Sequence, residues 1–125
     1  MEVFGSRWKN HWQRIAADWK SRVSDDDVVL IAGDTSWAMH LKEAQEDLDQ
    51  IRALPGKKII IRGNHDYWWE SAGKLNRMDA ENNMQYLYGS TAVLGDKDIA
   101  ICGTHGWVCP GDIHYQEDRD AKPYR

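Results

Sequence analysis

The stretch Lys57–Trp69, KKIIIRGNHDYWW, constrains the fold of this chain more than any other. Its isoleucine run, Ile59–Ile61, reads as a strand too apolar to leave a face in water. Gly63, Asn64, His65 and Asp66, which follow Arg62, are poor strand formers, so the chain must leave the sheet abruptly at Gly63. That exit recurs. Val28–Ala32 (VVLIA) runs into Gly33-Asp34, and Ile99–Cys102 (IAIC) runs into Gly103-Thr104-His105. Each glycine permits a tight turn, and the polar residues behind it are delivered to one edge of a sheet. Repetition of the pattern limits the chain to folds whose strands end on a common side.

The remaining elements follow from periodicity. Trp8, Trp12, Ile15 and Trp19 recur at helical spacing, which predicts a helix over roughly Ser6–Arg22 with an aromatic stripe against the core. The acidic run Ser24–Asp27 ends it. The uninterrupted VVLIA run predicts a strand covered on both faces. Leu41, Ala44, Leu48 and Ile51 mark a second amphipathic helix, closed by Pro55-Gly56. Its acids Glu43, Glu46, Asp47 and Asp49 read as a solvated face. Lys58–Arg62 is the next strand, and a polar helical or irregular stretch follows it. Thr91–Leu94 and Ile99–Cys102, joined by Gly95-Asp96-Lys97-Asp98, read as a hairpin. Alternating helix and strand predicts a parallel sheet with helical cover, and the hairpin adds an antiparallel element. The fold class is therefore α/β. In such sheets ligands bind beyond the carboxyl ends of the strands, where Asp34, Asn64 and His65 are expected to meet.

Composition narrows the partners. With 125 residues the chain fits one domain with a single core. A net charge of −4 and a pI near 5.7, without a basic run, argue against nucleic acid as a general partner. No apolar stretch approaches the roughly 18 residues of a membrane span. Cys102 and Cys109 match neither a zinc knuckle nor a disulfide scaffold, so they read as free thiols in a reducing cytoplasm. The chain has 7 tryptophans, rings that fill cores or pockets. Trp68 and Trp69, with Tyr67, are expected to pack in the core rather than stack on a base. His11 and His40 read as surface or helix-packing residues, and His114 as a loop residue near Asp112.

The residues at the strand exits suit metal-assisted phosphoryl chemistry. A carboxylate such as Asp34 can bridge two hard cations, and the carbonyl of Asn64 can ligate one without adding charge. Two cations roughly 3.5–4 Å apart can hold phosphoryl oxygens and generate a hydroxide nucleophile. His65, beside a ligand, is placed to protonate the leaving oxygen. In the competing reading, Asn64 and His65 merely close a turn and Asp66 caps the next helix.

Gly33-Asp34 and Gly63-Asn64-His65-Asp66 resemble the second and third motif blocks of the calcineurin-like metallophosphoesterases. The flanking MEVFG, IAGDTSWAM, LPGKKIIIRGNHDYWW and ICGTHGW are similar to a bacterial branch of that superfamily. The resemblance implies a four-layer α/β/β/α sandwich with mixed sheets and a dinuclear centre of manganese, iron, zinc or magnesium. It implies a phosphatase or phosphodiesterase acting on phosphate mono- or diesters. Asp34 would be the bridging ligand, Asn64 a ligand of the second metal, and His65 the proton donor. His105 and Asp66 are further candidates. The motifs that match bind metal and phosphoryl group, so protein phosphate, nucleotide, phosphodiester and sugar phosphate all stay open as substrates.

The departures from the family pattern are specific. An opening D-x-H and the closing histidine and G-H-x-H blocks do not occur, so residues 1–125 are expected to form a partial domain, truncated at both ends. Trp37 stands where some relatives carry an aspartate that orients the histidine. A missing strand beside Val28–Ala32 would leave an apolar edge prone to self-association. The alternative function is that of a non-catalytic α/β module that binds a partner or a phosphate compound without turnover.

Overall fold

The isoleucine run becomes the middle of the molecule. In the computed structural model, which describes residues 10–95, 98–106 and 110–120, strand β2 (Lys57–Ile61) lies between β1 (Val28–Ile31) and β3 (Met84–Leu87) in a parallel sheet. The register pairs Leu30 with Ile59 and Ile60 with Tyr86. Helices α1 (His11–Arg22), α2 (Leu41–Arg52) and α3 (Ala72–Met78) intervene, and β4 (Ser90–Leu94) pairs antiparallel with β5 (Ile99–Gly103). A single turn, α4 (Glu117–Asp120), follows.

Strand alternation sorts the core into two layers. Ile60, Met84 and Tyr86 point to the helices and pack with Ala44, Leu48 and Ile51 of α2, Leu75 of α3, and the loop residues Trp68 and Trp69. Ile59 and Leu87 point the other way and meet Ala92 and Leu94 of β4. Helices, parallel sheet and hairpin thus stack as α/β/β, a mixed α/β fold as expected. Gly103 marks where the sheets come closest. A Cβ there would lie 2.5 Å from Ile61 Cγ2 and 3.0 Å from Leu87 Cβ, so a side chain would force the sheets apart.

Several expectations are corrected. Among the described residues strand β1 is not covered on both faces: it is an edge strand there, and Leu30, on the hairpin side, is 60% exposed because the two-stranded sheet does not reach it. Strand β3 sits inside the stretch read as polar helix or irregular chain. Its open edge is met by Asn76 of α3, whose amide accepts from Tyr86 N at 2.8 Å and donates to Tyr86 O at 2.9 Å. The helix predicted from Ser6 is described from His11, and Trp8 lies outside the described residues. Its stripe is only half core: Trp12 packs on the helix-side cluster, Trp19 donates to Pro55 O at 2.9 Å, and Ile15 is exposed. The hairpin residues Asp96 and Lys97, and Cys109, also lie outside the described residues. Cys102 is free and exposed.

Two buried charges hold the helices to the sheet. Lys58 is buried, and its Nζ donates to the carbonyls of Arg52 and Leu54 at the end of α2. Burial pushes its pKa down, opposed by the charge of Asp25. Asp79 is buried too, and accepts from Arg52 at 2.7 and 3.1 Å, Tyr86 Oη at 2.6 Å and Asn82 at 2.7 Å. Burial alone would raise the Asp79 pKa, but the hydrogen bonds from Arg52, Tyr86 and Asn82 outweigh it and hold the carboxyl below its ordinary range. Desolvation, with Asp79 alongside, pushes the Tyr86 hydroxyl upward.

A carboxyl whose pKa is lower folded than unfolded stabilises the fold above its unfolded pKa, about 3.9. That contribution disappears as pH falls through the folded value. Urea unfolding should therefore show stability declining from about pH 5 downward, less steeply in Asp79→Asn. Arg52→Met, which strands the buried carboxylate, should cost about 3–5 kcal/mol at neutral pH. An unchanged acid slope in Asp79→Asn would contradict this assignment.

Candidate functional site

The site forms where β1 and β2 end side by side. Gly33 takes φ +95° and Asp34 φ +53°, a left-handed turn that glycine adopts freely and aspartate tolerates. The two exits touch backbone to backbone. A Cβ on Gly63 would lie 2.2 Å from both the nitrogen and Oδ1 of Asp34, and one on Gly33 would lie 2.5 Å from Gly63 N. Only glycines admit this approach, which is why both strands stop on one.

The structure brings Asp34, Asn64 and His65 together at this edge. Asp34 Oδ1 accepts from the His65 backbone N–H at 3.0 Å, and Oδ2 lies 3.1 Å from His65 Nδ1. A carboxylate oxygen can only accept, so this contact places the proton on Nδ1. The other ring nitrogen, Nε2, lies 3.3 Å from Asn64 Nδ2 and accepts from it. The His65 side-chain hydrogen bond, then the one from its backbone, then the charges of His65 and His105, hold the Asp34 carboxyl below its ordinary pKa. Asp34 and His65 are both about half exposed, at 47% and 41% of their side-chain surface. They stand open to a ligand.

Aromatic rings frame the histidine. Trp37 stacks on it with centroids 5.2 Å apart and planes at 27°, and Tyr67 meets it edge-on at 6.3 Å. Trp37 therefore does not replace the orienting aspartate of some relatives. It holds the ring by stacking, and Asp34 itself occupies Nδ1. Of the three aromatics after the tetrapeptide, Trp68 and Trp69 are core, as expected, while Tyr67 is 53% exposed.

Asp66 does something the sequence reading missed. It caps no helix: α3 begins five residues beyond it, and Ser71 is its cap, accepting from Lys74 N at 3.2 Å. Nor does Asp66 face the cleft, because it is fully buried. Oδ2 accepts from Asp34 N and Gly63 N, both at 2.8 Å. Oδ1 accepts from Thr35 N at 2.8 Å, Trp68 Nε1 at 2.9 Å and Ser36 N at 3.3 Å. One carboxylate thus ties the exit of β1 to that of β2 and to the core. Its signal was present in the sequence as an acid followed two residues later by an indole donor, a pattern too common to interpret alone.

The calcineurin-like phosphoesterase model matches residues 6–123. The chain belongs to that family. No curated protein and no solved structure gives a significant match.

Phosphoesterases of this family generally use divalent metals. Asp34, Asn64 and His105 line one cleft of about 210 Å³ with Gly33, Gly63 and Thr104. Oxygen and imidazole donors suit several divalent ions. Among the described residues, however, no three His, Cys, Asp or Glu side chains converge as a ligand set. Both oxygens of Asp34 are engaged by His65. The described residues do not make a dinuclear centre. The acids of α2 are exposed, as expected, although Asp47 accepts from Ser36 Oγ at 2.5 Å and Asp49 pairs with Arg52. His40 precedes α2 as its N-cap residue, and His114 sits in a turn where its N–H donates to Asp112 at 2.8 Å.

Removing the Asp66 carboxylate leaves buried main-chain donors unsatisfied, each costing about 1–3 kcal/mol. Asp66→Ala should lose at least about 3 kcal/mol of stability by urea denaturation. Asp66→Asn, which turns an amide NH₂ toward these donors, should lose somewhat less. A loss under about 0.5 kcal/mol in Asp66→Ala, ordinary for a surface site, would contradict the role assigned to this carboxylate.

Proposed function

We propose that this chain carries the Asp34–Asn64–His65 part of a metal-dependent phosphoesterase site, one that hydrolyses phosphate mono- or diesters. The contact that carries the reading is His65 Nδ1 against Asp34 Oδ2, at the carboxyl ends of adjacent parallel strands in a chain of this family. With Nδ1 committed to Asp34, Nε2 is the nitrogen left to meet a leaving oxygen. In the imidazolium form Nε2 carries a proton and can donate it as the P–O bond breaks. Trp37 and Tyr67 restrict the ring, and the Asn64 amide, which can donate only to an unprotonated Nε2, gives that nitrogen up when the imidazolium forms. A divalent ion, when bound, would supply charge for the phosphoryl oxygens. Asp34 and Asn64 are the residues proposed to hold it, with His105 across the cleft.

The alternative, a module that binds phosphate compounds without turning them over, draws on the described residues, among which no three His, Cys, Asp or Glu side chains converge. The two readings share their residues and differ in turnover. Self-association is proposed as well. Among the described residues β1 pairs only with β2, and the exposed Leu30 marks that edge as a template for another strand.

Manganese binding, followed by electron paramagnetic resonance, tests the assignment. Asp34→Ala should abolish binding, and His65→Ala should retain it. Where turnover of an aryl phosphate is detectable, His65→Ala should slow it about 10²–10⁴-fold, most for poor leaving groups. For the 125-residue chain alone we expect turnover at background, with light scattering showing oligomers. Metal lost equally in His65→Ala would make that residue a ligand. Robust turnover by a monodisperse monomer would show that the described donors suffice.

A further inference from the structure

A second cavity adjoins the site. It encloses about 350 Å³ and is lined by Trp12, Trp37, Ile51, Asp47, Gln50 and Thr35, among others. That volume falls within the range of small-molecule sites. Trp37 is the shared wall: it stacks on His65 and also borders this cleft. Thr35, the neighbour of Asp34, belongs to the cleft as Asp34 belongs to the metal-side cavity. The two clefts share no lining residue, and the stack of Trp37 on His65 is the link between them.

The lining specifies the guest. Trp37 remains 59% exposed, although an indole is costly to leave in water without a partner. Two tryptophans with Ile51 give flat apolar walls, which reward a planar ring and gain little from a hydrated polyol. His11, Ser36, Thr35, Asp47 and Gln50 supply the polar part of the lining. Gln50 offers an amide at the rim. Asp47 contributes a carboxylate already bonded to Ser36, and its charge disfavours a second anionic group here. We propose that this cleft receives the leaving group of the ester, and that it selects neutral planar aromatic or heteroaromatic groups, with Trp37 the specificity-determining residue. The proposal rests on the phosphoesterase reading, which it deepens by naming the substrate class.

Two non-hydrolysable probes separate the possibilities: phenylphosphonate and methylphosphonate, titrated calorimetrically into the full chain with manganese present. Stacking on an aromatic side chain is worth about 1–3 kcal/mol, so phenylphosphonate should bind about tenfold tighter or more. Trp37→Ala should reduce that ratio to about two or less, and Trp37→Phe should restore much of it. Trp37 is mostly exposed, so these variants should fold. If both phosphonates bind equally to the wild type, or the ratio survives Trp37→Ala, the aromatic cleft is refuted while the phosphoesterase reading stands. If neither phosphonate nor inorganic phosphate binds, the phosphoesterase reading falls and takes the cleft with it.

Discussion

The buried carboxylate of Asp66 is the interaction on which the site depends. Two strand exits that must lie within backbone contact expose several main-chain N–H groups to the interior, and none can be left without an acceptor. A single aspartate supplies both oxygens to donors from Gly63, Asp34, Thr35 and Ser36, and anchors itself to the Trp68 indole. The turn geometry follows. With Gly63 and Asp34 pulled to one oxygen, the Asp34 side chain is carried against the His65 main chain and ring. The residue that organises the tetrapeptide is thus the one hidden from solvent, and its exposed neighbours are free to meet a ligand.

Packing fixes the same geometry from below. The central strand β2 is buried on both faces, helices on one side and hairpin on the other, so it cannot shift register without moving its isoleucines out of both layers. Gly103, where a Cβ would strike Ile61, lets β5 close over β2 and brings His105 to the cleft beside Asp34. Gly33 and Gly63 meet backbone to backbone while Gly103 meets the side chains of Ile61 and Leu87, and the polar residues after them gather because the glycines permit these approaches. On the opposite side of the sheet, Asp79 with Arg52 and Tyr86 ties α2 and α3 to β3, which holds the helix layer that carries Trp12 and Asp47 toward the second cleft.

Much of this was legible in the residues. The isoleucine run, the hairpin and the α2 stripe announced their elements, because apolar period and burial coincide in them. Gly33-Asp34 and Gly63–Asp66 announced where Asp34, Asn64 and His65 meet, because two glycine exits at comparable strand ends deliver the residues behind them to one edge. Strand β3 was not legible. Met84-Gln85-Tyr86-Leu87 is short and follows a polar run, and its edge is satisfied by the Asn76 side chain, a tertiary contact no local pattern reveals. The exposure of Leu30 escaped for a related reason: an apolar run predicts a strand, but its position within the sheet depends on what lies beside it. The α1 stripe misled because helical spacing records a face and not the depth to which it sinks. Asp66 looked like a cap because acids after a turn usually are caps, and its burial depends on Trp68 folding over it.

Amide hydrogen exchange on the native chain measures the central claim most directly. The N–H groups of Asp34, Thr35 and Gly63 lie in loops, where exchange is ordinarily fast. If a buried carboxylate holds them, they should exchange as slowly as the N–H groups of β2, and lose that protection in Asp66→Asn while β2 keeps its own. Fast exchange at all three in the native chain would contradict the account, because the loops would then be held by something other than Asp66.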